Sequence, residues 1–182
     1  MTIANMITSL RILFVPALFI GANHKLGSVV WIVAAITDFL DGWIARTYKQ
    51  QSALGELLDP IADKIIMAAG LILINRQYPH YWLLIPSIII MIRDFYITKK
   101  RIVEYRQYRS IQTLSVTKLS KMKTMVLFIG ILSLLIAHDT NNKLVFTIGC
   151  MLIYVSVIVS TYTLLNFMRV FKVTKNTHEL RE

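Results

Sequence analysis

The stretch from Thr37 to Lys64 reads T-D-F-L-D-G-W-I-A-R-T-Y-K-Q-Q-S-A-L-G-E-L-L-D-P-I-A-D-K, and sets four aspartates, Asp38, Asp41, Asp59 and Asp63, in the most apolar third of the chain. An ionised carboxylate at membrane depth costs at least ~2.5 kcal/mol, so such groups normally face a cavity, a cation or a counter-charge. Helical spacing sorts them. Asp38, Asp41 and Ala45 stand at i, i+3 and i+7 on one helix face, and Gly55, Asp59 and Asp63 at i, i+4 and i+8 on the next. An antiparallel pair joined by a short loop brings the two acidic faces together, and like-charge repulsion there is relieved by cations. Oxygen-only ligands indicate a hard ion, Mg²⁺, Mn²⁺ or Ca²⁺, and four carboxylates suffice to bridge two ions. Gly42, Ala45 and Gly55 leave the helix surfaces bare for a ligand, while Arg46 adds a cationic fork suited to a diphosphate. Taken singly, each of these residues reads as helix packing or an Arg–Asp pair. Their combination reads as a pocket.

Working outward, 55% of the 182 residues are hydrophobic, with a mean hydropathy of +0.58. This is too apolar for one soluble core of that size, and the continuous apolar runs lack the period-two alternation of a lipid-facing barrel. The expected fold is therefore all-α: an integral membrane protein of six transmembrane helices. The candidates run from Ile7 to Ala22, Leu26 to Arg46, Ala53 to Ile74, Tyr81 to Thr98, Leu119 to Ala137 and Leu144 to Met168. Ile3, Met6, Ile7 and Leu10 give the amino end an amphipathic start lying along the interface. No cleavable leader is expected there. With both termini cytoplasmic, all but Lys25, Arg76 and Lys143 of the 20 Lys and Arg residues fall on or near the cytoplasmic side, which a different span count would not achieve.

The net charge of +10 then belongs to a cytoplasmic face suited to anionic lipid or phosphate-bearing substrates, not to nucleic acid. Cys150 is the only cysteine, which excludes an internal disulfide, and the four histidines show no ligand spacing. Trp31, Trp82, Tyr78 and Tyr81 near span ends fit an interfacial aromatic belt. With no repeat and no long linker, residues 1–182 read as one domain.

The spacing D-x-x-D-G-x-x-A-R-x8-G-x3-D-x3-D from Asp38 to Asp63, eight specified positions in 26, resembles without departure the signature of the CDP-alcohol phosphatidyltransferases. N-M-I-T-S-L-R-I-L-F-V-P at Asn5–Pro16 is similar to that family's first helix. The resemblance implies that Asp38, Asp41 and Asp59 hold a pair of divalent ions, Mg²⁺ or Mn²⁺, with Asp63 as further ligand and general base. It assigns Gly42, Ala45, Arg46 and Gly55 to the CDP pocket. It also implies transfer of a phosphatidyl group from CDP-diacylglycerol to an alcohol with release of CMP, a homodimer, and a multi-pass protein of a bacterial-type inner membrane with its active site on the cytoplasmic side.

For the acceptor, Arg93, Arg101, Lys121 and Lys123, the last two in L-S-K-M-K-T, resemble the phosphate-binding segments of the phosphatidylglycerophosphate synthases within this family, which implies glycerol 3-phosphate, a small phosphorylated alcohol. Asp94 and Ser120 depart toward cardiolipin synthases, whose acceptor is phosphatidylglycerol. Inositol phosphate and serine remain further acceptors. From another class, a divalent-cation transporter would also use intramembrane aspartates, but would leave the Gly, Ala and Arg set unexplained.

Overall fold

A computed structural model describes residues 14–47, 53–108 and 118–179, with side chains at 14–37, 63–100 and 122–168. Among the described residues the chain is entirely helical: α1 (Phe14–Asn23), α2 (Gly27–Thr47), α3 (Ala53–Gln77), α4 (Tyr81–Tyr108), α5 (Lys118–Thr140) and α6 (Lys143–Glu179). The amphipathic start at Ile3–Leu10 lies outside them. α4 and α6 run about ten residues past the expected span ends, because hydropathy marks only the apolar part of a helix whose charged turns continue beyond it. Among the described residues three segments are long and apolar enough to cross a bilayer: Tyr81–Lys100, Met122–Thr140 and Lys143–Met168. Their outward residues, among them Ile92, Phe95 and Ile158, are 65–74% exposed, an apolar surface that lipid rather than water suits. The protein is a membrane protein.

α5 is the central helix. It is apolar on all sides and packs against α2, α3 and α6, while α4 packs against α3 and α6. Leu127, Ile131, Leu134 and Leu135 of α5 are all buried, together with Trp31, Leu71, Ile74, Leu83, Ile90 and Ile153. Small residues bring α5 and α6 close: a Cβ on Gly149 would lie 2.8 Å from Leu134 Cγ, and one on Gly130 3.2 Å from Ile153 Cδ1.

One end of the bundle is tied by its turns. At the end of α1, Leu26 N–H donates to Gly21 O (2.7 Å) and Lys25 N–H to Ala22 O (3.2 Å), with Lys25 at φ 57°, the bonding pattern of a Schellman cap. Between α5 and α6, Asn141 takes the left-handed conformation (φ 54°), and Asn142 Oδ1 caps α6 by accepting from Leu144 N–H and Val145 N–H. Asp139 Oδ2 accepts from Ser28 N–H (3.0 Å) and Ser28 Oγ–H (2.6 Å), placing a carboxylate at the amino end of the α2 dipole.

Pro86 lies inside α4 and has no N–H to offer Trp82 O, four residues back. Tyr154 of α6 supplies the missing donor, its hydroxyl lying 2.7 Å from that carbonyl. An apolar helix packing could not leave that oxygen bare without cost.

Trp31 is a core residue and does not belong to the expected aromatic belt: it is 0% exposed, stacks on Phe128 at 5.0 Å and donates from Nε1 to Phe128 O (3.4 Å). Tyr81, 77% exposed, remains compatible with the interface. The Trp31 indole lies on Gly70 of α3, where an added Cβ would meet its ring at 2.7 Å. Gly70→Ala is therefore expected to destabilise the protein by about 1–3 kcal/mol, because the pinned ring has nowhere to move. Thermal denaturation in detergent measures this, and Trp31→Phe, which lacks the outer ring atoms, should recover part of the loss.

Candidate active site

The Trp31–Gly70 contact joins the acidic helices α2 and α3. α2 runs antiparallel to α5, since Ser28 meets Asp139 near the end of α5 and Trp31 meets Phe128 farther back. α3 runs parallel to α5: Gly70 lies against Ile131, and Lys64 and Lys123 meet on a common carboxylate. α2 and α3 are therefore antiparallel, with Trp31 level with Gly70. Seven residues on from Trp31 stands Asp38, and seven residues before Gly70 stands Asp63, about 10 Å along each helix. Trp31 and Ala34, at i and i+3, are both buried, and Asp38 and Asp41 continue that spacing in the sequence at i+7 and i+10.

At the same end of the bundle, α3, α4, α5 and α6 meet in a polar junction. Asp94 Oδ1 accepts from Arg93 Nη1 (2.7 Å) and Lys123 Nζ (2.6 Å), and Asp94 Oδ2 accepts from Lys64 Nζ (2.7 Å). Arg93 Nη2 donates to Thr163 Oγ1 (2.6 Å), whose own hydroxyl donates to Ser160 O (2.9 Å). Lys123 is among the most buried side chains, 2% exposed, and Arg93 and Asp94 are nearly as enclosed. Three cations share one carboxylate, leaving two positive charges in surplus among the described residues. Buried charge is tolerated when paired and hydrogen-bonded, and a surplus of this sign suits an anionic ligand.

The structure thus brings together two of the four expected acceptor residues, Arg93 and Lys123. The side chains of Arg101 and Lys121 lie outside the described residues, as do those of Asp38, Asp41, Gly42, Ala45, Arg46, Gly55 and Asp59. Asp63 is exposed at the start of the described part of α3. Sequence reading missed Lys64, Asp94 and Thr163 as members of the cluster. Lys64 follows Asp63 directly and Asp94 follows Arg93, signals available in A-D-K and I-R-D. Thr163 carries no such mark, because Ser and Thr are common in apolar helices and bond to their own backbone.

A sequence model described as CDP-alcohol phosphatidyltransferase matches residues 1–173, nearly the whole chain. The chain belongs to that family. Among its relatives are proteins named CDP-diacylglycerol–glycerol-3-phosphate 3-phosphatidyltransferase. The one from Wigglesworthia glossinidia brevipalpis is 34% identical over 92% of this chain and 93% of its own length. The one from Blochmanniella floridana is 37% identical over 71% of this chain and 70% of its own. That from Haemophilus influenzae is 27% identical over 91% of each. Membership makes the chain a transferase and sets aside the transporter reading. For a CDP-alcohol phosphatidyltransferase, the α2–α3 pair is where the eight signature positions fall, and the four-helix cationic junction begins one residue along α3 from the last of them.

Proposed function

We propose that the protein transfers the phosphatidyl group of CDP-diacylglycerol to glycerol 3-phosphate, giving phosphatidylglycerophosphate and CMP. The observation that carries this reading is the cationic cluster of buried Arg93 and Lys123 with partly exposed Lys64, adjoining Asp63 along α3 and holding more positive charge than Asp94 neutralises. A neutral alcohol has no use for that surplus, whereas a phosphate monoester complements it. The names carried by the relatives agree.

Within this reading Asp38, Asp41, Asp59 and Asp63 hold two Mg²⁺ or Mn²⁺ ions. The fit rests on the donor set, all hard oxygens, carried by the two antiparallel helices α2 and α3. Bound divalent ions supply positive charge to the diphosphate and to departing CMP. Asp63 accepts the proton of the acceptor hydroxyl, and the freed oxygen attacks the lipid-bearing phosphorus. Gly42, Ala45, Arg46 and Gly55 border the CDP moiety, and Arg93, Lys123, Arg101 and Lys121 take the acceptor's phosphate.

The site opens to the cytoplasm, in a single domain of six spans with both ends inside, in a bacterial inner membrane. The concentration of Lys and Arg at that end of the bundle supports this, as do the lengths of α2 and α3, 21 and 25 residues. The family resemblance also supports a homodimer.

CMP release by the purified protein, with CDP-diacylglycerol and Mg²⁺, tests the reading when glycerol 3-phosphate and phosphatidylglycerol are compared as acceptors. Turnover with glycerol 3-phosphate is expected. Turnover with phosphatidylglycerol alone would make the protein a cardiolipin synthase, the direction in which Asp94 and Ser120 lean.

A further inference from the structure

We infer that Asp94 and Thr163 are positioning residues that hold Arg93 from two sides, leaving its Nε–H edge to meet the acceptor's phosphate; this rests on the acceptor site proposed above. A guanidinium is planar and rigid, with five N–H donors, so fixing two of its nitrogens fixes the third. Nη1 is held by Asp94 Oδ1 at 2.7 Å and Nη2 by Thr163 Oγ1 at 2.6 Å. Nε is buried, in a side chain only 8% exposed, and has no acceptor among the described residues. A buried donor of a charged group left without a partner is costly, and an anionic oxygen is the partner it fits best.

The local chemistry makes Thr163 a one-way contact. Its hydroxyl hydrogen is committed to Ser160 O, so its lone pairs are what it presents to Arg93. It holds the guanidinium as a neutral acceptor and leaves the positive charge uncancelled. Asp94 performs the opposite task. By accepting from Arg93, Lys123 and Lys64 it lets three cations from three helices coexist, yet removes only one unit of charge. A second carboxylate in place of Thr163 would hold Arg93 as firmly and bring the surplus down to one. The pairing of one carboxylate with one hydroxyl thus orients the cation while preserving its attraction for a doubly charged phosphate.

Thr163→Val keeps the shape and removes the acceptor, and Thr163→Ser restores the acceptor. CMP release by the full-length protein, titrated separately with glycerol 3-phosphate and with CDP-diacylglycerol, reads the effect. In Thr163→Val the KM for glycerol 3-phosphate is expected to rise about tenfold, the equivalent of one charge-assisted hydrogen bond, with kcat and the KM for CDP-diacylglycerol little changed. Thr163→Ser is expected to return the KM to near the wild-type value. Asp94→Asn is expected to raise the same KM more, and Asp94→Glu less; if either fails to fold, the two Thr163 variants still decide. An unmoved acceptor KM in Thr163→Val, an equal disturbance of both KM values, or a Ser variant no better than Val would overturn the clamp. If the wild type turns over phosphatidylglycerol but not glycerol 3-phosphate, the functional reading falls, and the clamp is judged by the same split on phosphatidylglycerol.

Discussion

Asp63→Asn is expected to reduce CMP release by about 10²–10⁴-fold, the range of a lost general base, in a protein that still folds. The substitution is nearly isosteric and removes only the ability to take a proton and a unit of negative charge. Asp63 is exposed on α3, so its loss opens no cavity in the core. It directly precedes Lys64, whose Nζ lies 2.7 Å from Asp94 Oδ2 in the cationic cluster. That is the position from which a base could reach a hydroxyl whose phosphate lies among Lys64, Arg93 and Lys123. Thermal denaturation of the variant should remain cooperative, with no loss of Tm in chelator. Retention of more than about a tenth of the activity would assign the base to another group.

The acidic stretch is legible as helical spacing, and it falls on the helices α2 and α3. Trp31 and Ala34, ahead of Asp38 and Asp41 on α2, are buried. What could not be read was the partner that sets the level of one helix against the other. Trp31 looked like an interfacial aromatic, since a Trp near a span end suits both a headgroup belt and a core. The presence of Gly70 opposite decides between them, and Gly70 lies 39 residues away in sequence. The expected helix bounds were short for α4 and α6 for a related reason: hydropathy detects membrane depth, and helices outlast it.

The cationic junction was half legible. Arg93 and Lys123 stood out through their family resemblance, and both belong to it. Asp94 was noticed only as a departure from a pattern, although one carboxylate among so many cations near a span end must have partners. Its bonds to Lys123 and Lys64 cross 29 and 30 residues, distances at which local periodicity carries no information. Thr163, 70 residues from Arg93, could not have been found without the packing of α6 on α4.

Chelation of divalent ions is expected to abolish turnover, and Mg²⁺ or Mn²⁺ to restore it, with a second signature that does not depend on chemistry. The proposed metal site takes two aspartates from each of the antiparallel helices α2 and α3. Neighbouring helix axes lie about 8–10 Å apart, so the carboxylates repel unless ions separate them. Ions that bind the folded pair and not the unfolded chain stabilise it by mass action, about 2.7 kcal/mol at one hundred times the dissociation constant, or a rise in Tm of a few degrees. The melting temperature of the purified protein in detergent should therefore climb with Mg²⁺ in the absence of any substrate. Asp59→Asn should weaken that climb and, by relieving repulsion, raise the Tm measured in chelator. This opposite movement separates a metal site from an ordinary buried ion pair, where losing a carboxylate lowers stability with or without Mg²⁺. Turnover that survives chelation, or a Tm indifferent to Mg²⁺ in wild type and variant alike, would remove the metal ions from the site and leave the aspartates in need of cationic side chains instead.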